Sequence, residues 1–189
     1  LRVATLLIND RGYRGASVNR IAAQLNVTKG SFYHHHDAKD DLVQAWSERS
    51  YNRVAAAQLT ASAMAGDYWT RLSSLLAELA DLQFFDPMPL LRTTALHAIP
   101  GDERVSIVDR ANRLAKRFAG LIIDGIGEGS VRAIDPLIAS QVMMSAINPA
   151  SEMGGWSGRF SDPADAVATY CWTLCYGLFA DPPNVGEPL

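Results

Sequence analysis

The chain contains two cysteines in 189 residues, too few for a disulfide framework. A reducing, cytoplasmic setting is the default expectation for such cysteine usage. No uninterrupted apolar run is long enough to cross a bilayer, and no secretory signal stands out. There is no Gly-rich phosphate loop, no GxSxG elbow, no HExxH and no CxxC. The ready-made constellations for phosphate binding, acyl transfer and metal or redox chemistry are therefore missing. Aspartates and glutamates scatter over helix starts and solvated faces, which makes an enzyme the poorer reading. Strand-type alternation, internal repeats and low-complexity segments are absent too. What is present is apolar spacing of helical period almost from end to end. With 48% hydrophobic and 20% charged residues, the composition is that of an ordinary globular protein. The length suits one small and one larger domain.

Punctuation residues divide this all-α chain into about nine helices. The first covers residues 1–10 and ends before Gly12. Short second and third helices open at Ser17 and Thr28. The fourth, from Ala38 to Ala63, is rich in Ala and charged residues and would join two domains. After a break at Gly66-Asp67, a fifth spans Tyr68 to Phe84, with Leu72, Leu75, Leu76 and Leu79 on one face. Asp86-Pro87-Met88-Pro89 stops it, because proline lacks the N–H and fixes φ. A sixth covers 90–98. A seventh runs from Glu103 to Ile126, after a turn at 99–102 with a capping Asp. An eighth follows Asp135-Pro136, an N-cap with proline in the first turn. A ninth follows Asp162-Pro163 and continues to about Phe179. Residues 181–189 form a tail. The chain starts without Met inside a helical pattern, so further residues, including a basic arm, are expected upstream.

Residues 17–42 carry the functional signal. Ser17 can cap a short helix by accepting from orphan backbone N–H groups. Val18, Ile21, Ala22 and Leu25 form its apolar stripe, and Asn26 tolerates the left-handed backbone of a tight turn. Thr28 can cap the next helix, Lys29 to His35, which is too short to be stable alone and carries many hydrogen-bonding groups. A short helix of this kind, held by its neighbours, suits the major groove of DNA, where the second helix of a helix-turn-helix enters N-terminus first. Thr28, Lys29 and Ser31 are donors at that end. Gly30 lets the backbone approach a duplex closely. Tyr33, His34 and His35 can reach phosphates or base edges, and the helix N-terminus itself favours a phosphate. Two short helices with a tight turn also occur in all-α proteins that never meet DNA, so pattern alone leaves both readings open.

Residues 1–46 resemble the N-terminal domain of the TetR family of transcriptional regulators. The matching residues are Ala4, Leu7, Gly12-Tyr13, Ser17-Val18, Ile21-Ala22, Val27-Thr28-Lys29-Gly30, Phe32-Tyr33, His35, Lys39 and Leu42. Glu128-Gly129-Ser130 is a weaker match further on. The resemblance implies a three-helix DNA-binding domain at 1–46 and a ligand-binding and dimerisation domain at 47–180. It further implies a repressor released from a palindromic double-stranded operator by a small, largely apolar effector. DNA contacts are implied at Ser17, Thr28, Lys29, Gly30, Tyr33, His34 and Lys39. To these the sequence adds Ser31 and, as a phosphate contact, Arg14. His36 and Ala38 depart from the family pattern where Phe and a capping Ser or Thr are usual. They keep a third reading open, a helical small-molecule-binding or interaction protein without specific DNA binding.

Charge distribution agrees with a DNA contact. Residues 1–36 carry five cations against Asp10 alone, net +4, on a chain of net −3, as salt-dependent phosphate binding requires. For the effector, the resemblance points to helices four to seven. Trp69, Leu72, Leu76, Phe84, Phe85, Met88, Leu91, His97, Phe118 and Ile122 are the pocket candidates there, with simple core packing as the alternative for each. The last helix carries Ala166, Val167, Tyr170, Trp172, Leu174, Cys175 and Leu178, apolar on more than one face. It must be buried on both sides, which favours a homodimer, and the resemblance implies that helices eight and nine form its interface. His34, His35 and His36 point about 100° apart on a helix and do not converge on a metal. Cys171 and Cys175 read as small buried hydrophobes rather than a redox or metal switch. No cofactor is expected.

Overall fold

The computed structural model describes residues 2–30, 39–86, 88, 90, 101–147 and 163–176. Among them are seven helices and no strand: α1 (Arg2–Gly15), α2 (Val18–Gln24), α3 (Lys39–Ala63), α4 (Tyr68–Phe84), α5 (Gly101–Glu128), α6 (Pro136–Ile147) and α7 (Pro163–Cys175). The expected helix at 90–98 and most of the one at 28–35 lie outside the described residues. The backbone is again helical at Lys29 and Gly30.

Local chemistry sets the boundaries. α1 is broken at Gly12, whose φ of 68° is non-helical, so the expected stop before Gly12 is a kink followed by one more turn. Asp67 caps α4: its Oδ1 accepts from the Thr70 N–H at 2.9 Å and from the Thr70 hydroxyl at 2.7 Å. Those two bonds, the hydroxyl first, hold its carboxyl below the usual carboxylate range. Asp135 caps α6 by accepting from the Leu137 and Ile138 N–H groups, both at 2.9 Å, with Pro136 at the first helical position as expected. α5 opens at Gly101 rather than Glu103 and runs two residues past Ile126, to Glu128. The Glu128 carboxylate accepts from the Tyr68 N–H at 3.2 Å, so the end of α5 closes on the start of α4.

Two apolar cores follow. The smaller joins Ala4, Leu7 and Ile8 of α1, Ala16 between α1 and α2, Ile21 and Ala22 of α2, and Leu42, Val43 and Trp46 of α3. One residue of the larger domain, Ile107 of α5, packs into it. The larger core is built on Leu72, Leu75, Leu76 and Leu79 of α4, Phe118 and Ile122 of α5, Met143 and Ile147 of α6, and Cys171 and Cys175 of α7. Each large side chain fully buried here contributes about 1.5–3 kcal/mol. α3 belongs to both cores, through Trp46 in the first and Val54, Ala57 and Ala61 in the second. It is the physical link between the domains.

Candidate nucleic-acid interface and candidate effector cavity

The turn between the two short N-terminal helices is fixed by hydrogen bonds. Ser17 takes extended backbone (φ −71°, ψ 152°), and its hydroxyl accepts from the Arg20 N–H at 3.3 Å, capping α2. At the other end Asn26 sits at φ 55°, the one non-glycine residue in the left-handed region among those described. The Val27 N–H donates to the Ala22 carbonyl at 3.0 Å, and the Asn26 N–H to the Ala23 carbonyl at 3.2 Å. This crossed pair is the Schellman closure of a helix, with asparagine in the place glycine usually takes. It turns the chain within two residues and presents Thr28, Lys29 and Gly30, all exposed, at the start of the next helix.

Gly30 is informative because nothing among the described residues requires it. Its φ lies outside the left-handed region. An added β-carbon would meet only the Thr28 hydroxyl, at 3.9 Å, an ordinary contact. The flanking helices α1 and α2 carry exposed cations. Arg20 is exposed and donates to the Gly15 carbonyl at 3.3 Å. Arg11 is exposed and pairs with Asp10 at 3.2 Å. Of the expected DNA contacts, Ser17, Thr28, Lys29 and Gly30 are exposed and adjoin the turn. Ser31, Tyr33 and His34 lie outside the described residues. Arg14 and Lys39 are described in backbone only, Arg14 after the Gly12 kink and Lys39 at the start of α3.

A cavity of about 150 Å³ opens between α3, α5 and α6. Val54, Leu90, Leu114 and Met144 supply apolar wall, Ser47, Ser50 and Tyr51 of α3 supply hydroxyl groups, and Arg110 of α5 supplies a cation. None of the expected pocket residues with described side chains is among those that line it. Leu72, Leu76, Phe118 and Ile122 are at most 1% exposed, inside the larger core. Trp69 packs against that core, half-buried. Phe85 is 38% exposed, and Met88 sits in the segment that follows α4. His97 and Leu91 lie outside the described residues, as does the side chain of Phe84. Helical periodicity marks which residues leave solvent. It does not separate those that meet other side chains from those that meet a void. Arg110 escaped the sequence reading, although its position carried a signal. It falls three residues after Ile107 and four before Leu114, on the buried stripe of α5.

The cavity touches the joint between the domains. Ile107 lines it and packs into the N-terminal core. Leu90 lines it too, and the Leu90 carbonyl accepts from the Asn9 side-chain amide of α1 at 3.2 Å. The segment carrying Leu90 is tied down on both sides. The Leu90 N–H donates to the Gln83 side chain at 3.1 Å, and the Met88 carbonyl accepts from Arg49 at 2.9 Å. Asp86 pairs with Arg49 at 3.5 Å and with Arg53, and accepts from the Met88 N–H at 2.7 Å. Burial pushes the Asp86 carboxyl up, but the Met88 N–H and the two guanidinium groups outweigh it and leave it below the usual carboxylate range. Burial and the charge of Arg53 lower Arg49 from its ordinary value, against the pull of Asp86.

Comparison with known proteins places these features. Residues 1–46 match the family model described as bacterial regulatory proteins, tetR family. The Transposon Tn10 TetC protein of Escherichia coli is 30% identical over 78 residues, which cover 41% of this chain and 39% of that protein. The chain thus matches well under two thirds of that relative's length. A crystal structure of AibR in complex with isovaleryl coenzyme A and operator DNA matches with a TM-score of 0.74 at 21% identity, over 94% of this chain and 97% of that one. The ketosteroid transcriptional regulator KstR2 of Mycobacterium tuberculosis matches with a TM-score of 0.77 at 18% identity, over 95% and 92%. At these identities the structural likeness is one of fold, and it extends through both domains.

Proposed function

We propose that this chain, whose first 46 residues match the model of the tetR family of bacterial regulatory proteins, is a ligand-responsive, DNA-binding transcriptional regulator. The observation that carries this reading is the Ser17-capped, Asn26-closed turn, which presents Thr28, Lys29 and Gly30 to solvent beside exposed arginines. A helix N-terminus with donors on a basic corner suits phosphates and base edges. The AibR likeness, a protein solved with an acyl coenzyme A and operator DNA, supports the pairing of an effector with DNA on this fold. The helix starting at Thr28 reads the major groove through Thr28, Lys29, Ser31, Tyr33 and His34, and Arg14, Ser17 and Lys39 hold phosphates.

The protein works as a homodimer that represses from a palindromic operator. Leu137, Ile138 and Val142 of α6 are 53%, 65% and 58% exposed, and Trp172 and Tyr176, on and just after α7, are 46% and 43% exposed. An apolar surface of this kind on the last two helices suits a two-fold pairing with a second copy. The effector occupies the cavity between α3, α5 and α6. An occupant moves Leu90 and Ile107, and through them α1 and the N-terminal core, so the spacing of the two reading helices changes. It shifts that equilibrium only as far as its affinity differs between the two states.

The test is binding of the protein to DNA immediately upstream of its own gene across a salt series. Saturable, palindrome-dependent binding is expected, weakening with salt as phosphate neutralisation requires. Lys29→Ala combined with Tyr33→Ala should abolish it. Sequence-indifferent binding that this double variant leaves unchanged would overturn the reading.

A further inference from the structure

We propose that the cavity between α3, α5 and α6 is a carboxylate site, built for a compact organic monoacid held through Arg110. The proposal deepens the effector reading above and rests on it. Arg110 is partly buried, lines the cavity, and takes part in no ion pair or hydrogen bond among the described residues. It stands on the buried stripe of α5, where Ile107 and Leu114 are only 6% and 7% exposed. A guanidinium in such a place needs a partner, because a charge withdrawn from water is costly until it is matched. Among the described residues none is supplied: no described carboxylate lines the cavity.

The other polar groups around the cavity fit an anion. Tyr51 brings a hydroxyl that can donate to a carboxylate oxygen, whereas the Ser47 hydroxyl on the same wall donates to the Gln44 carbonyl at 3.1 Å. A second cation backs Tyr51, with the Arg113 guanidinium 5.9 Å from the centre of its ring. Arg110 offers a planar fork that matches a carboxylate bidentately. Beside these groups, Val54, Leu90, Leu114 and Met144 supply apolar lining suited to a short hydrocarbon body. The volume sets its length. At about 150 Å³ the cavity matches one that takes a benzene-sized molecule. It is smaller than the usual drug-sized pocket of roughly 300–1,000 Å³. An acid of about four to six carbons fits these limits.

The experiment titrates the full-length protein, without DNA, with three probes of one shape: pentanoate, pentanamide and pentylammonium. Calorimetry should show pentanoate binding at least about tenfold more tightly than pentanamide, since only the acid forms the charge-assisted pair. Pentylammonium should not bind. Arg110→Gln should lower pentanoate affinity by about tenfold and leave pentanamide unchanged, and Arg110→Lys should fall between, keeping the charge but losing the fork. Thermal unfolding of each unliganded variant checks that the fold is kept. Equal binding of acid and amide, an Arg110→Gln variant that binds pentanoate like the parent, or failure of all three probes to bind would overturn the proposal. Because no DNA is present, these outcomes are separate from loss of operator binding, which bears on the regulator reading instead.

Discussion

Gly30 offers a sharp test of the DNA reading, because stability and affinity should move in opposite directions. The backbone is helical at Gly30, φ is not left-handed, and among the described residues an added β-carbon would touch only the Thr28 hydroxyl, at 3.9 Å. Gly30→Ala should therefore fit the protein without strain. Replacing glycine by alanine at a compatible site stabilises by about 0.4–1 kcal/mol, chiefly by restricting the unfolded chain. For a chain of this size that raises Tm by roughly 1–4 °C. On DNA the same methyl group stands between the helix N-terminus and the phosphate it approaches. Losing one charge-assisted hydrogen bond there costs about 1.5–3 kcal/mol, roughly ten- to hundredfold in Kd. Differential scanning calorimetry and fluorescence anisotropy on one preparation give both numbers. A variant with raised Tm and unchanged Kd would refute the idea that glycine is kept for the duplex. A lowered Tm would refute the claim that the fold has no need of it.

The other predictions concern the body of the protein. Asp86→Asn should cost about 1–2 kcal/mol at neutral pH, because the Met88 N–H, Arg49 and Arg53 lose their anion. The folded carboxyl of Asp86 lies below its ordinary value. Its contribution is therefore complete above the unfolded pKa of about 3.9 and is lost as pH falls through the lower folded value. Urea titrations of parent and variant should differ by a constant amount from pH 7 to about 5 and converge only under strongly acid conditions. Cys171 and Cys175 are 2% and 0% exposed, and burial pushes both thiols up to about 12. A thiol reagent at pH 8 should leave both unmodified in the native protein and label both in denaturant; fast native labelling would contradict the packing of α7. Ile138→Asp with Val142→Asp should convert the dimer to a monomer near 20.5 kDa by light scattering, without unfolding it, since both side chains are more than half exposed.

The geometry around Leu90 gives the proposed switch a definite joint. Asn9 of α1 holds the Leu90 carbonyl, Gln83 of α4 holds its N–H, and its side chain faces the cavity. Ile107, which also lines the cavity, is shared with the N-terminal core. A change in cavity volume therefore bears directly on two contacts that seat the DNA-binding domain. The ties of Asp86 and Met88 to α3 hold the start of this segment.

The sequence made the local features of the interface legible because they depend on short-range chemistry. The Ser17 cap, the Asn26 turn and the Asp135-Pro136 start of α6 each rest on hydrogen bonds within about five residues. The bounds of α4 were legible for the same reason. The cavity was not, because its walls come from three helices far apart in the chain. Leu72 and Leu114 look alike in sequence, yet one faces packed side chains and the other a void. Apolarity could not separate them, but charge could have separated Arg110. A buried stripe tolerates alanine or leucine silently, whereas a guanidinium on it must be matched by something. A charged residue that breaks an otherwise apolar stripe is therefore a better pointer to a cavity than the apolar residues around it. On α5 that pointer singles out Arg110, the cation on the cavity wall.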